Sequence, residues 1–310
     1  MTIFMSILAI LSGFCFAIQG PVNTALGKRT DVFQATMISF FGGALTSLLL
    51  VFIIGKGDIS CLRMAKFWQL IGGFYGAVNV SVIIAAIPVL GAALALSIIM
   101  LGQLFAGVFI DAFGLLGTVK VEISIWRIIG IILVAAGILL IYFGSSKNQS
   151  EEKSKSKRSQ FIVFLMLILS FVAGILGAMQ SPTNASLASL VGNWESTFTS
   201  FVVGFIVMIP LCLIAGKGKL KKLTNAGIKP WMLIGGLYGV GGIFLSLFTV
   251  MKLGTALQVA CGMVGQLSGG ILIDSFGLIQ TPKVKINILR FLGLLVILSG
   301  VVFVTLAAML

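Results

Sequence analysis

The sequence predicts an all-α integral membrane protein of ten transmembrane helices, built as two inverted five-helix repeats. Three observations predict it: a composition suited to lipid, ten apolar stretches of spanning length, and a pattern that returns halfway along the chain. Of 310 residues, 59% are hydrophobic and 9% charged, with a mean hydropathy of +1.18. Water-soluble domains carry charge on about a quarter of their residues.

A helix needs about 20 mostly apolar residues to cross a bilayer. In the first half such stretches run over 3–26, 33–54, 68–88, 92–110 and 125–143, and in the second over 161–183, 196–215, 231–250, 255–273 and 287–308. Between the halves lies the hydrophilic segment SSKNQSEEKSKSKRSQ. The predicted organisation is therefore a first repeat over 1–144, a basic cytoplasmic linker over 145–160 and a second repeat over 161–310. Stretches three and four are separated by little more than Val89, Leu90 and Gly91, and their joint length predicts a tight helical hairpin. The first stretch lacks the basic start of a secretory signal and has a mid-chain counterpart, so it reads as a span.

The repeat is the most specific signal. Gln19-Gly20-Pro21-Val22-Asn23 returns as Gln180-Ser181-Pro182-Thr183-Asn184, an offset of 161 that also pairs Gly13 with Gly174, Ser39-Phe40 with Ser200-Phe201 and Gly43 with Gly204. Beyond the next polar loop the offset is 163, pairing Tyr75-Gly76 with Tyr238-Gly239, Gln103 with Gln266 and Asp111-x-Phe113-Gly114 with Asp274-x-Phe276-Gly277. Five is odd, so tandem copies must cross in opposite senses, which predicts a pseudo-two-fold axis in the membrane plane. With both termini outside and the linker cytoplasmic, fifteen of the 21 Lys and Arg residues face the cytoplasm, the bias expected of inner segments.

Several chemistries are excluded by composition. There is no histidine, which removes imidazole-based triads and zinc or haem ligation. The eight acids do not cluster with a cysteine partner, and no P-loop motif occurs, so the reading is not an enzyme, with no cofactor and no metal. The net charge of +13 sits in short segments between apolar stretches, which argues for topology and against nucleic-acid binding. The four cysteines are scattered, with no C-x-x-C.

The candidate site is drawn from matched polar residues in apolar surroundings. Gln103 and Gln266 sit near the middle of helices four and nine, where an amide must find a protein partner or a polar cavity. They are expected either to contact substrate or to join two helices by hydrogen bonds of about 0.6–2 kcal/mol. Pro21 and Pro182 free the carbonyls of Ala17 and Ala178, and the flanking Gln19, Asn23, Gln180 and Asn184 complete a polar strip around the expected kink. The plainer reading is that proline and asparagine end the helix at the membrane surface. Tyr75 and Tyr238 either present a phenol to the cavity or pack. Asp111 and Asp274 either cap a turn at the hydrated membrane edge or serve as gating or coupling groups, one near each face.

These motifs resemble those of the YdcZ-like family of the drug/metabolite transporter (DMT) superfamily, in its fused two-repeat form: the helix-one Q-x-P-x-N, the Ser-Phe and glycine of helix two, the Gly-Gln of helix four and the D-x-F-G-L that closes it. The resemblance covers essentially the whole chain and implies a multi-pass transporter in the bacterial inner membrane. Two features depart from the wider superfamily. Both termini are predicted outside, and helix one carries no acid in place of the glutamate on which small multidrug resistance proteins rely. The reading is thus a secondary transporter of a small neutral or zwitterionic metabolite working by alternating access, acting as a monomer that is its own pseudo-dimer within the lipid bilayer. The alternative is a membrane scaffold or channel-like protein without alternating access.

Overall fold

The computed structural model describes residues 2–90, 92–122, 124–146, 157–215, 227–280 and 288–307, with some side chains at the segment ends left out. Every long element is a helix: α1 (Thr2–Arg29), α2 (Val32–Ile54), α3 (Gly72–Leu90), α4 (Ala92–Phe113), α5 (Ile125–Ser146), α6 (Lys157–Val191), α7 (Asn193–Ala215), α8 (Gly235–Leu253), α9 (Thr255–Phe276) and α10 (Ile288–Ala307). Among the described residues eight are long and apolar enough to cross a membrane, and α5 and α10 are apolar over Ile125–Ile141 and Ile288–Phe303. Outward faces carry large bare hydrophobics such as Phe52 and Ile214, 79% and 81% exposed, as suits a lipid-facing exterior.

Helix boundaries follow local chemistry. Asp31 opens α2, its Oδ1 accepting the Gln34 N–H at 2.9 Å, and Gly254, at φ 75°, separates α8 from α9 in a conformation that favours glycine. The expected hairpin between stretches three and four is present as α3 and α4. The linker is shorter than predicted, since α5 continues to Ser146 and α6 starts at Lys157; 147–156 lie outside the described residues, as do 216–226 and 281–287.

The prolines do not end their helices. α1 runs eight residues past Pro21 to Arg29 and α6 runs nine past Pro182 to Val191, so the membrane-surface reading is corrected. A proline removes one N–H from the ladder, and neighbouring helices in a bundle hold the rest of the turn in place.

Packing joins the halves rather than separating them, and the close glycine contacts described next occur twice. A Cβ on Gly43 would stand 2.3 Å from the ring of Phe201, and one on Gly204 2.2 Å from the ring of Phe40; the two rings meet at 5.3 Å. Gly13 lies so close to α9 that a Cβ would sit 2.0 Å from the Gly262 carbonyl oxygen, and Gly174 has the same relation to Ile99 in α4, at 2.1 Å. Where α5 meets α10, Gly137 faces Gly293 and Ile297 while Gly300 faces Gly130 and Val134. Numbering rises along one helix as it falls along the other, so this pair is antiparallel. α2 and α7 are antiparallel as well, with Phe40 beside Gly204, and Gly55, which ends α2, beside Glu195 in the first turn of α7. Small residues at these crossings let backbones approach closely enough for dispersion to hold helices together without a hydrophobic drive.

The turns after α4 and α9 also match. Gly114 and Gly277 have φ of 62° and 63°, and two residues later Leu116 and Ile279 hold φ of 56° and 55°, a left-handed conformation that side chains rarely adopt.

Candidate substrate cavity

A cavity of about 280 Å3 lies between the halves. It runs from the middle of the bundle to the end that holds exposed Lys28, Ile279 and Arg290. Gln19, Gln103, Gln180 and Gln266 all line it, two matched pairs of amides from four helices, and Asn23 and Pro21 join them. Glycines of the opposite half make room for the amides: a Cβ on Gly76 would lie 2.3 Å from Gln180 Nε2, and one on Gly239 2.6 Å from Gln19 Nε2.

The remaining sequence candidates stand elsewhere. Asn184 is 1% exposed and outside the cavity lining; its Nδ2 donates to Ser200 Oγ at 3.1 Å, and its carbonyl accepts from Ser196 Oγ at 2.6 Å. Its counterpart Asn23 is equally buried beside Gly235, yet neither of its amide atoms has a partner among the described residues. Tyr75 is 7% exposed and packs edge-on against Phe74, with ring centroids 6.0 Å apart. Tyr238 lines a separate outward groove with Trp231, Ile18 and Val22.

Asp111 departs from expectation most. The sequence places it as a hydrated carboxylate at the membrane edge, whereas it is fully buried and ion-paired with Arg127. Its Oδ1 accepts the Thr255 N–H at 2.6 Å and its Oδ2 the Ala256 N–H at 2.9 Å, so it caps the start of α9 in the other half rather than its own turn. Its backbone carbonyl accepts from Val121 at 3.0 Å and so also fixes the following loop. Burial of a carboxylate is sustained only by such pairing, here by a guanidinium and the positive end of a helix. The cluster joins α4, α5 and α9 at the end of the bundle away from Lys28. Asp274 lies in α9, but its side chain is outside the described residues.

Sequence reasoning missed Arg127 and Arg290, reading both only as topology markers. The signal was available, since they recur at the same offset of 163 as Asp111 and Asp274. Both are 5% exposed, and Arg290 lines the cavity. Also missed were Phe16, Asn79, Ser97 and Gln258, which line the cavity without a matching residue type in the other half. Among the described residues no group of acids and cysteines is placed to hold a metal ion.

Among the described residues, an all-helical bundle with apolar outer faces and an amide-lined cavity at its centre has the architecture of a multi-pass membrane protein. The chain belongs to the family described as "Putative inner membrane exporter, YdcZ", which matches it over residues 4–140 and again over 165–303, so it carries the family unit twice. That description is of a membrane exporter and not of an enzyme class. No curated protein matches the sequence. A crystal structure similar over 98% of this chain and 96% of its own superposes with a TM-score of 0.67 at 16% identity, a likeness of fold alone.

Proposed function

We propose that the chain is a secondary carrier with ten membrane-crossing helices in two oppositely oriented halves, moving a small neutral or zwitterionic metabolite by alternating access. The carrying observation is a cavity lined by matched amides that reaches one end of the bundle while the Asp111–Arg127 cluster ties the other end across both halves. With both termini outside, the reachable end faces the cytoplasm, the side from which an exporter of this family loads. Release then requires the Asp111 cap on α9 to part while the other end closes, with Asp274 and Arg290 as the counterparts by repeat position. Gln19, Gln103, Gln180, Gln266 and Asn23 contact the cargo in this reading. A single chain holds both halves of the pathway, so a monomer suffices.

Alternating access is testable before any cargo is known. With the four native cysteines replaced by alanine, Ser181→Cys places one thiol on the cavity wall. A membrane-impermeant methanethiosulfonate should label it from either face of sealed vesicles, and the paired exchange Asp111→Asn with Arg127→Gln, which removes the tie without leaving a buried unpaired charge, should raise labelling from the outer face. Labelling from the cytoplasmic face alone, in both proteins, would overturn the carrier reading in favour of a static membrane protein.

A further inference from the structure

The two-fold that governs packing is broken on the cavity wall, and the break defines a class of cargo. Residue 16 on α1 and residue 177 on α6 are matched by the offset of 161, yet one is Phe and the other Gly. Residues 79 on α3 and 242 on α8 are matched by 163, and they are Asn and Gly. The exchanges are coupled in space. The ring of Phe16 lies over Gly242, where a Cβ would stand 2.5 Å from its Cε1. On the opposite side Gly177 makes room for Asn79 and Gln103, whose amide nitrogens would lie 2.7 Å and 3.2 Å from a Cβ. Asn79 is held in place by its Nδ2, which donates to the Ala173 carbonyl at 2.8 Å.

The matched glutamines line both sides, so what sets the walls apart is the Phe16 ring on one and Asn79, beside Gln103 and Gln180, on the other, within a volume at the small end of ligand pockets, which span about 300–1,000 Å3. Two symmetric walls would accept a ligand in either of two orientations. These two accept one. Resting on the carrier reading above, we infer that Phe16 and Asn79 are the specificity-determining pair, and that the cargo is a small two-ended molecule with a flat or branched apolar body on Phe16 and an uncharged hydrogen-bonding head group on the Asn79 wall. The charged groups among the described lining residues are Lys28 and Arg290 and no carboxylate is among them, so a cationic head group would find no counter-anion there.

The chain supplies its own control. Replacing Phe16→Gly together with Gly242→Asn copies onto one side the Gly–Asn contact that residues 177 and 79 already make, so the double variant reuses a packing the fold contains. Benzamide, a ring with an amide head, and acetamide, the head without the ring, are the probes, followed by ligand-observed NMR on detergent-solubilised protein against a protein-free detergent control. Wild type should bind benzamide saturably and acetamide far more weakly. The double variant should lose about tenfold in benzamide affinity through the missing ring contact. Asn79→Leu should lose a similar factor through the missing hydrogen bond, and Phe16→Trp should retain binding. No benzamide binding to wild type, equal affinity in wild type and Asn79→Leu, or acetamide binding as tightly as benzamide would each overturn the inference. Where the double variant is not recovered folded, Asn79→Leu decides alone. The thiol-labelling experiment does not depend on these probes: two-sided labelling without benzamide discrimination removes the cargo class and keeps the carrier, and benzamide discrimination with one-sided labelling does the reverse.

Discussion

The interfaces between the two halves and the wall of the cavity between them obey different rules. At the interfaces the close glycine contacts are present twice: Gly43 on Phe201 and Gly204 on Phe40, Gly13 on α9 and Gly174 on α4, Gly235 beside Asn23 and Gly72 beside Asn184. On the cavity wall the four glutamines match, but positions around them diverge, Phe16 against Gly177, Asn79 against Gly242, Gln258 against Ala95. Close packing admits few alternatives once two backbones approach within a glycine's reach, so both copies keep it. A cavity leaves volume unfilled and tolerates exchange, and chemistry rather than packing then chooses the residue.

The largest expected effect lies where one half depends on a single pair from the other. Arg127→Leu leaves Asp111 as a buried unpaired charge and should cost about 3–5 kcal/mol, read as loss of folded, monodisperse protein in detergent. Recovery of that protein at wild-type stability would show the cluster to be hydrated and would break the contrast at its strongest point. Next come matched glycines. Gly13→Ala and Gly174→Ala each place a Cβ near 2 Å from a backbone oxygen of the opposite half, and both should destabilise by about 1–3 kcal/mol in thermal unfolding. The two values should agree, and a large difference between them would show that the interfaces are not equivalent.

A smaller effect separates the two asparagines. Asn184→Ala removes a hydrogen bond to Ser200 and should cost about 1 kcal/mol, whereas Asn23→Ala removes a side chain with no partner among the described residues and should leave the melting temperature nearly unchanged. Equal losses would mean that Asn23 is satisfied by water and that the halves are alike at this position. The smallest change in stability belongs to Gln19→Leu and Gln180→Leu, within about 0.5 kcal/mol for substitutions that face a cavity. Both should bind benzamide more weakly than wild type, and unchanged affinity would move these amides from the cargo to the helix contacts.

Much of the architecture was readable because duplication writes the same constraint twice. The offsets of 161 and 163 named the glycines that form the interfaces and the four glutamines that line the cavity. What escaped did so for definable reasons. Tyr75 could not be placed because a helix that is apolar all round carries no periodicity to say which face is inward. The burial of Asp111 was misjudged because its partners, Arg127 and the start of α9, come from sequence 16 and about 144 residues away, and only the tertiary structure brings them together. Phe16, Asn79 and Gln258 were passed over by a search for matched residues, since each departs from its match.

Neither half is a self-sufficient body. α1 makes its closest approaches to α8 and α9, α6 makes its own to α3 and α4, and a carboxylate of one half closes the first turn of a helix in the other. Severed between residues 146 and 157, the two fragments should each be unstable when made alone and should reassemble into one working bundle when made together, so that the peptide link guarantees stoichiometry and proximity while mutual shape supplies the cohesion.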